Sequence, residues 1–489
     1  MTRSTLPFLA LGCALSACAV GPDFVRPEPP RTDHYTAATD PALTVRAGGT
    51  DQHFNAGANV AADWWTLFKS PQIDAVIREA VSANPGLEAA EANLSQSQDE
   101  LRAGYGIFFP AVGADYSATR QRYSPAKFGQ NSSGSIFNLF SLSASVSYAL
   151  DIFGGERRTV EGLGADADVQ QATERGVYLT LELNIVDALV AKAAYGAEIE
   201  ATKQLIVLEQ DQVRLAEIQT RAGTAPYSNV LTLRAQLAST QATIPGLEQK
   251  LSQTDDLLAT LAGHPPSEWQ APAIGFADLA LPGDLPVSLP SDLVRQRPDI
   301  LAAEATAHAA SANIGVATAA MLPSVTLTGG YGFNNTASSA LFAAGSKFWS
   351  FGADVATPIF EGGTLWFKRK AAVENYKAAM AQYRQTVLAA FAQVADTLRA
   401  IEHDAETLKA DDDALRSADE ALHLVQANYK AGLANYTDVL VADGQYHQAR
   451  IADLQATAVR YQDTVTLFAA LGGGWWNAPA DGPKVADRN

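Results

Sequence analysis

Ser141 to Asp151 reads Ser-Leu-Ser-Ala-Ser-Val-Ser-Tyr-Ala-Leu-Asp. Leu142, Ala144, Val146, Tyr148 and Leu150 share one parity; Ser141, Ser143, Ser145, Ser147 and Asp151 share the other, with Ala149 the single apolar intruder. Successive side chains of a strand point to opposite faces, so this alternation predicts a strand with one apolar and one polar face. About eleven residues is long for a strand in water and close to what a tilted strand needs to cross a bilayer. A second run, Trp349, Phe351, Ala353 and Val355 against Ser350, Gly352, Asp354 and Ala356, echoes it. Each run has a partner upstream across a polar loop. Val112, Ala114, Tyr116 and Ala118 alternate with Gly113, Asp115, Ser117 and Thr119; Val325, Leu327, Tyr331 and Phe333 alternate with Ser324, Thr326, Thr328 and glycines. Two hairpins follow, with strands at about 110–122 and 139–152, then about 323–334 and 347–360.

Each hairpin runs into a helical pattern without proline, over 156–221 and 364–430. At 1.5 Å per residue such a helix is about 100 Å long and needs supercoiled partners. Arg221-Ala222-Gly223-Thr224 and Lys430-Ala431-Gly432-Leu433 end the two helices with a C′ glycine, and further helices return. The first of these, from Ser228 to Leu261, should kink at Pro245-Gly246. Other landmarks repeat in register. Pro85 is matched by Pro298 and Pro110 by Pro323, and Gly223 is matched by Gly432 as Gly263 is by Gly472. Internal duplication places one repeat at 71–263 and another at 291–473, joined by a proline-rich connector over 264–290, with a tail at 474–489.

The first 17 residues read as a signal peptide: Arg3, a short apolar stretch from Leu6 to Leu15, then Leu15-Ser16-Ala17-Cys18. That ending resembles a bacterial lipoprotein box in which Cys18 takes the lipid; a plain secretory signal would be cut near the same place. Residues 18–70 then form a lipid-anchored tether and the start of the first helix. Within it, 19–60 lack periodicity, Trp64-Trp65 is a packing anchor, and Ser70-Pro71 is an N-cap and N1 pair. Cys13 leaves with the signal, so one cysteine remains and neither an internal disulfide nor a cysteine-based zinc site is expected.

Four membrane-length strands per chain cannot close a barrel, and an open edge is not tolerated in lipid. Two copies give eight strands with a filled interior; three give twelve and leave room for a duct. The long helices would continue the wall as a helical tube below the membrane. The expected fold is therefore an α+β membrane protein: long helical hairpins forming an α-barrel continuous with a trimeric 12-stranded transmembrane β-barrel. A net charge of −18, with 18% of residues charged, argues against nucleic acid as a partner. Scattered histidines, without His-x-x-x-His or nucleophile-elbow spacing, give no sign of an enzyme, a metal or a cofactor.

Several stretches resemble the TolC-like outer-membrane efflux factors, in particular the lipoprotein branch of the OprM, CusC and NodT type. They are Leu15–Phe24, Trp64-Trp65 with Leu67-Phe68, Leu289–Leu293, Arg297-Pro298-Asp299-Ile300, and Leu471–Trp475. The resemblance covers nearly the whole chain. It implies an outer-membrane homotrimer that docks to a periplasmic adaptor and an inner-membrane RND-type pump and passes small solutes outward. It also implies that Cys18 sits in outer-membrane lipid.

Candidate functional residues follow from position. The turns carrying Arg221, Gly223, Lys430 and Gly432 would form the periplasmic mouth, although their glycines equally serve to end helices. Asp438 and Asp443, just past the second turn, would ring a narrow lumen with carboxylates and favour cations; the alternative is a pair of solvated acids. Family members narrow this mouth with a Leu, an Asp and an Arg where this chain has Thr437, Val441 and Gly444. Asp115, Asp151 and Asp354, on the polar parity, would face the barrel lumen, because a carboxylate facing lipid costs more. A lipid-anchored coiled-coil scaffold and the outer duct of a protein-secretion system are the competing readings. The scaffold would not need the strands.

Overall fold

The computed structural model describes residues 19–37, 39–124, 129 and 134–477; Cys18 lies outside them. In chain order the elements are β1 (His53–Ala56), α1 (Pro71–Ala83), α2 (Pro85–Gly104), β2 (Ala111–Tyr123), β3 (Ser135–Leu150), α3 (Gly155–Arg221), α4 (Tyr227–Gln241) and α5 (Ile244–Leu261). They continue with β4 (Asp284–Val287), α6 (Pro290–Gln296), α7 (Pro298–Ala319), β5 (Ser324–Asn335), β6 (Lys347–Ala356), α8 (Thr364–Lys430) and α9 (Tyr436–Ala470). The two long helices, α3 and α8, have 67 residues each. Among the described residues no helix is long and apolar enough to cross a membrane.

Contacts divide the chain into two compact units. The first takes residues 19–26, Asn93–Gln170 and Ala303–Tyr383. Its centre is a four-stranded antiparallel sheet in the order β2-β3-β5-β6. Residues 19–26 are extended and pinned rather than free. Val20 N–H donates to Phe153 O at 2.9 Å, the nearly buried Arg158 pairs with Asp23 at 2.6 Å, and Arg26 pairs with Glu304 at 2.6 Å.

The second unit takes, among the described residues, Pro27–Ala92, Gln171–Ala302 and 384–477. Here too the expected loose tether is docked: β1 pairs in parallel with β4, from His53 opposite Asp284 to Ala56 opposite Val287. The core gathers around Trp64, which is fully buried and stacks on Phe468 with ring centroids 5.2 Å apart. Trp64 Nε1 donates to Glu182 Oε2 at 3.2 Å, and burial pushes the Glu182 carboxyl well above the usual range.

Local chemistry explains where helices break. Asn84 separates α1 from α2, its Oδ1 accepting from the N–H groups of Gly86 (2.8 Å) and Leu87 (3.1 Å). Ser70 precedes Pro71 in extended conformation, but its hydroxyl donates to Gln72 Oε1 instead of capping. The expected single helix from Ser228 to Leu261 is two, α4 and α5. Pro245 lacks an N–H and crowds the carbonyl four residues back, so α4 stops at Gln241. Its counterpart α9 has no proline and runs unbroken for 35 residues.

Candidate channel wall and hairpin tips

Register decides which side chains of the sheet share a face. The row Gly113–Ser145–Gly330–Ser350 crosses all four strands, and the next polar row, starting at Asp115, passes through Ser143 and Gly332. Thr326 stands opposite Asp354 on the same parity. The other face carries Val112–Val146–Gly329–Phe351, Ala114–Ala144–Tyr331–Trp349 and Leu150–Val325–Val355. The alternation read strand by strand thus adds up to one bulky apolar face and one mostly small polar face, on which Phe348, opposite Gly332, and Phe137 and Leu139 are the bulky exceptions. Arg120 and Arg122 stand on the apolar parity, with Arg120 Nη1 donating to Asn138 Oδ1 at 3.2 Å. Arginine facing lipid is costly, so the lipid-facing part of this hairpin stops before residue 120. β2 and β6 are the outer strands of the sheet, each paired on one side.

Asp115 and Asp354 lie on the polar face and are exposed in the single chain. Asp151 does not join them. β3 ends at Leu150, and the Asp151 carboxylate accepts from the N–H groups of Glu156 (3.0 Å) and Arg157 (3.1 Å) and from Arg157 Nε (3.0 Å). It therefore satisfies free donors at the start of α3, where the helix dipole also favours a negative charge. Parity placed it on the strand; the helix that follows takes it.

The two hairpin turns are alike. Gly223 and Gly432 have φ of 74° and 76°, in the left-handed region that favours glycine. Gly223 N–H donates to Thr220 O and Thr224 N–H to Gln219 O; Gly432 and Leu433 repeat the pattern onto Tyr429 and Asn428. Both ends are Schellman motifs. Arg221 and Lys430 beside them are exposed. Within this unit the two hairpins meet through Ala216, Val230 and Leu233, packed against Tyr436 and Leu440, and Gln219 Nε2 donates to Tyr429 OH at 2.7 Å.

The two acids after the second turn part company. Asp438 is exposed, and its Oδ2 accepts from Asn435 N–H at 2.9 Å in a capping box at the start of α9. Asp443 is 3% exposed, with Gln212 Nε2 donating to it at 3.2 Å and His447 Nε2 standing 3.7 Å away. Burial pushes the Asp443 carboxyl up; burial and nearby Arg450 take the His447 ring down to about 4. Asp443 is thus a packed residue and not a solvated ring carboxylate. Thr437, Val441 and Gly444 are all exposed, at the spacing of one helix face.

Sequence reading missed the buried arginines that tie the second unit together. Arg297, noticed only as part of a motif, grips Asp299 through two bonds (3.0 and 2.8 Å) and donates to Ala470 O at 2.7 Å, at the C-terminus of α9. Arg460, 1% exposed, donates to Gln52 Oε1 (2.9 Å), Ala47 O (2.8 Å) and Thr50 O (3.1 Å). Its only sequence signal is a lone cation in the otherwise weakly charged Ala456–Phe468 stretch.

Comparison with known proteins agrees with this geometry. The profile of the outer membrane efflux protein family matches residues 76–264 and 289–473, one match for each repeat. The pyoverdine export outer membrane protein OpmQ of Pseudomonas putida is 30% identical, over 86% of this chain and 89% of its own. The toluene efflux pump outer membrane protein TtgC of Pseudomonas putida is 29% identical, over 97% and 96%. Among solved structures, the outer-membrane channel OprN superposes with a TM-score of 0.85 at 26% identity, covering 94% of this chain and 100% of that one. The two-faced sheet, the paired 67-residue helices and these matches together place the chain in the outer membrane efflux protein family, as an outer-membrane efflux channel.

Proposed function

We propose that three copies join through β2 of one chain and β6 of the next to close a 12-stranded barrel around water. The observation that carries this reading is the sheet itself. Its two outer strands carry unpaired backbone groups, while Val112, Tyr116, Trp349 and Phe351 on them stand exposed on the apolar face. In lipid such edges need partners, and identical copies supply them. Asp115 and Asp354 then line the lumen with Ser143, Ser145 and Thr328. The homotrimer is a passive conduit without catalysis or cofactor. A periplasmic adaptor and an inner-membrane RND-type pump deliver cargo to the mouth formed by the turns at Gly223 and Gly432, and the pump supplies the energy. Asp438 lies at that mouth as the candidate charge-selective residue. A lipid on Cys18 anchors the chain; the bond from Val20 to Phe153 supports this, because it fixes the chain two residues after the proposed anchor to the end of a membrane strand. The names of OpmQ and TtgC carry two unlike cargoes, pyoverdine and toluene.

Native mass spectrometry of the detergent-extracted protein tests the proposal. A mass of three chains, each with a covalent lipid, is expected. A lone chain, or a dimer, contradicts it.

A further inference from the structure

The two repeats enter their long helices through nearly the same sequence, Ile152-Phe153-Gly154-Gly155 and Ile359-Phe360-Glu361-Gly362-Gly363, yet the surroundings differ. At the first junction Ile152 and Phe153 are half-buried, and the N-terminal segment runs against them: Val20 N–H donates to Phe153 O, and Ala19 stands against Gly154. Both arginines that follow are neutralised: Arg157 by Asp151 at 3.0 Å, Arg158 by Asp23 and Glu161, each at 2.6 Å.

At the second junction nothing among the described residues lies over the equivalent positions. Ile359 is 95% and Phe360 87% exposed, and Trp366 and Phe367, on the first turns of α8, are exposed as well. Lys368, Arg369 and Lys370 follow directly. Arg369 donates to Thr318 Oγ1 at 3.2 Å, whereas Lys368 and Lys370 are exposed and form no ion pair among the described residues. Lys370 Nζ stands 5.9 Å from the Trp366 ring centroid. The nearby acids do not neutralise them: Glu374 pairs with Lys377 at 2.9 Å, and Glu361 points its charge to solvent on the preceding turn. The patch begins three residues past the end of β6, so it continues the exposed apolar face of Trp349, Phe351 and Val355. Exposed aromatics followed by unpaired lysines, at the end of a membrane strand, match the chemistry of a bilayer interface, where rings sit at headgroup depth and ammonium groups meet phosphate.

We propose that this junction binds an anionic phospholipid of the periplasmic leaflet. Ile359, Phe360, Trp366 and Phe367 lie against its glycerol and upper acyl region, and Lys368 and Lys370 hold its phosphodiester. The first repeat needs no such lipid, because the chain's own N-terminal segment runs against its junction and its own carboxylates neutralise its arginines.

The test uses the full-length protein in nanodiscs of equal phosphatidylglycerol and phosphatidylcholine, with retained lipid identified by native mass spectrometry. Wild-type protein should be enriched in phosphatidylglycerol, and the enrichment should fall on raising salt. In Lys368→Gln/Lys370→Gln it should drop about fivefold per lysine, while Lys368→Arg/Lys370→Arg keeps it. Should the glutamine variant fail to fold, the wild-type preference and its salt dependence carry the test, and their absence overturns the proposal. Equal enrichment in wild type and the glutamine variant also overturns it. So does a glutamine variant that changes oligomeric state while keeping its lipid, a result that assigns this face to a second copy of the chain.

Discussion

Replacing Arg460 by methionine should loosen residues 42–56 without unfolding the rest of the second unit. Methionine keeps most of the apolar stem and removes the guanidinium. Four acceptors then lose a bond: Gln52 Oε1, Ala47 O and Thr50 O, held at 3.1 Å or less, and Thr44 Oγ1 at 3.4 Å. Ala47 O and Thr50 O keep each other's N–H, and Thr44 Oγ1 keeps the Gln52 N–H, so among the described residues Gln52 Oε1 alone is orphaned, at about 1–3 kcal/mol, while the other lost bonds add less. Burial also disfavours the Arg460 charge, which offsets part of the loss. A net cost of about 2–3 kcal/mol follows, because the acceptors left behind are neutral. At tenfold per 1.4 kcal/mol, local opening rises by about 30- to 140-fold. Hydrogen exchange reads this directly, because Thr44 N–H donates to Gln52 O, and Ala47 and Thr50 exchange N–H···O bonds, within the same loop. Peptides covering 42–56 should lose protection while those of α3 keep theirs. Exchange within about threefold of wild type would refute the reasoning, since the network's loss is worth far more than that.

Two further outcomes follow. Asp443→Asn should leave cation preference in planar-bilayer reversal potentials unchanged, because the charge it removes is buried, and Asp438→Asn should lower the preference; the opposite pattern sinks the assignment of the exposed acid to the mouth. Burial and neighbouring Asp463 push Asp404 up to about 7, above its unfolded value near 4. Its contribution to stability is therefore complete below about pH 4 and is lost as pH rises through about 7, so Asp404→Asn should raise the melting temperature at pH 8 and not at pH 4. An equal shift at both pH values would remove burial of the Asp404 charge as the cause.

How far the sequence carried depends on what each signal measures. Alternation at Ser141–Leu150 reported a real two-faced strand, because a period of two has few other structural causes. Alternation could not say where the strand stops, and Asp151, in phase with the serines, is taken by the N-terminus of α3. Glycine spacing located both Schellman turns, since a positive φ at those sites leaves few residues to choose from. Pro245 located a kink, but the break falls at 242–243, as the clash it causes lies upstream. Segment 19–60 looked like a tether because extended chain docked through backbone bonds and single ion pairs has no periodicity to detect. Asp443 was placed on a wet surface for a similar reason: its cover comes from Gln212, 231 positions away in the chain. Asp299, two residues on, is a partner of Arg297 that the motif shows, but Ala470 O and the carbonyl oxygens held by Arg460 are acceptors that every residue has, so nothing in the sequence marks them.

Single-channel recording with thiol modification tests the central claim that the polar face of the sheet lines water and the apolar face meets lipid. Ser145 and Val146 are neighbours on β3 and point to opposite faces. A charged, membrane-impermeant thiol reagent should cut the current through Ser145→Cys channels and leave Val146→Cys channels unaltered. Block at position 146 with none at position 145 would contradict the account.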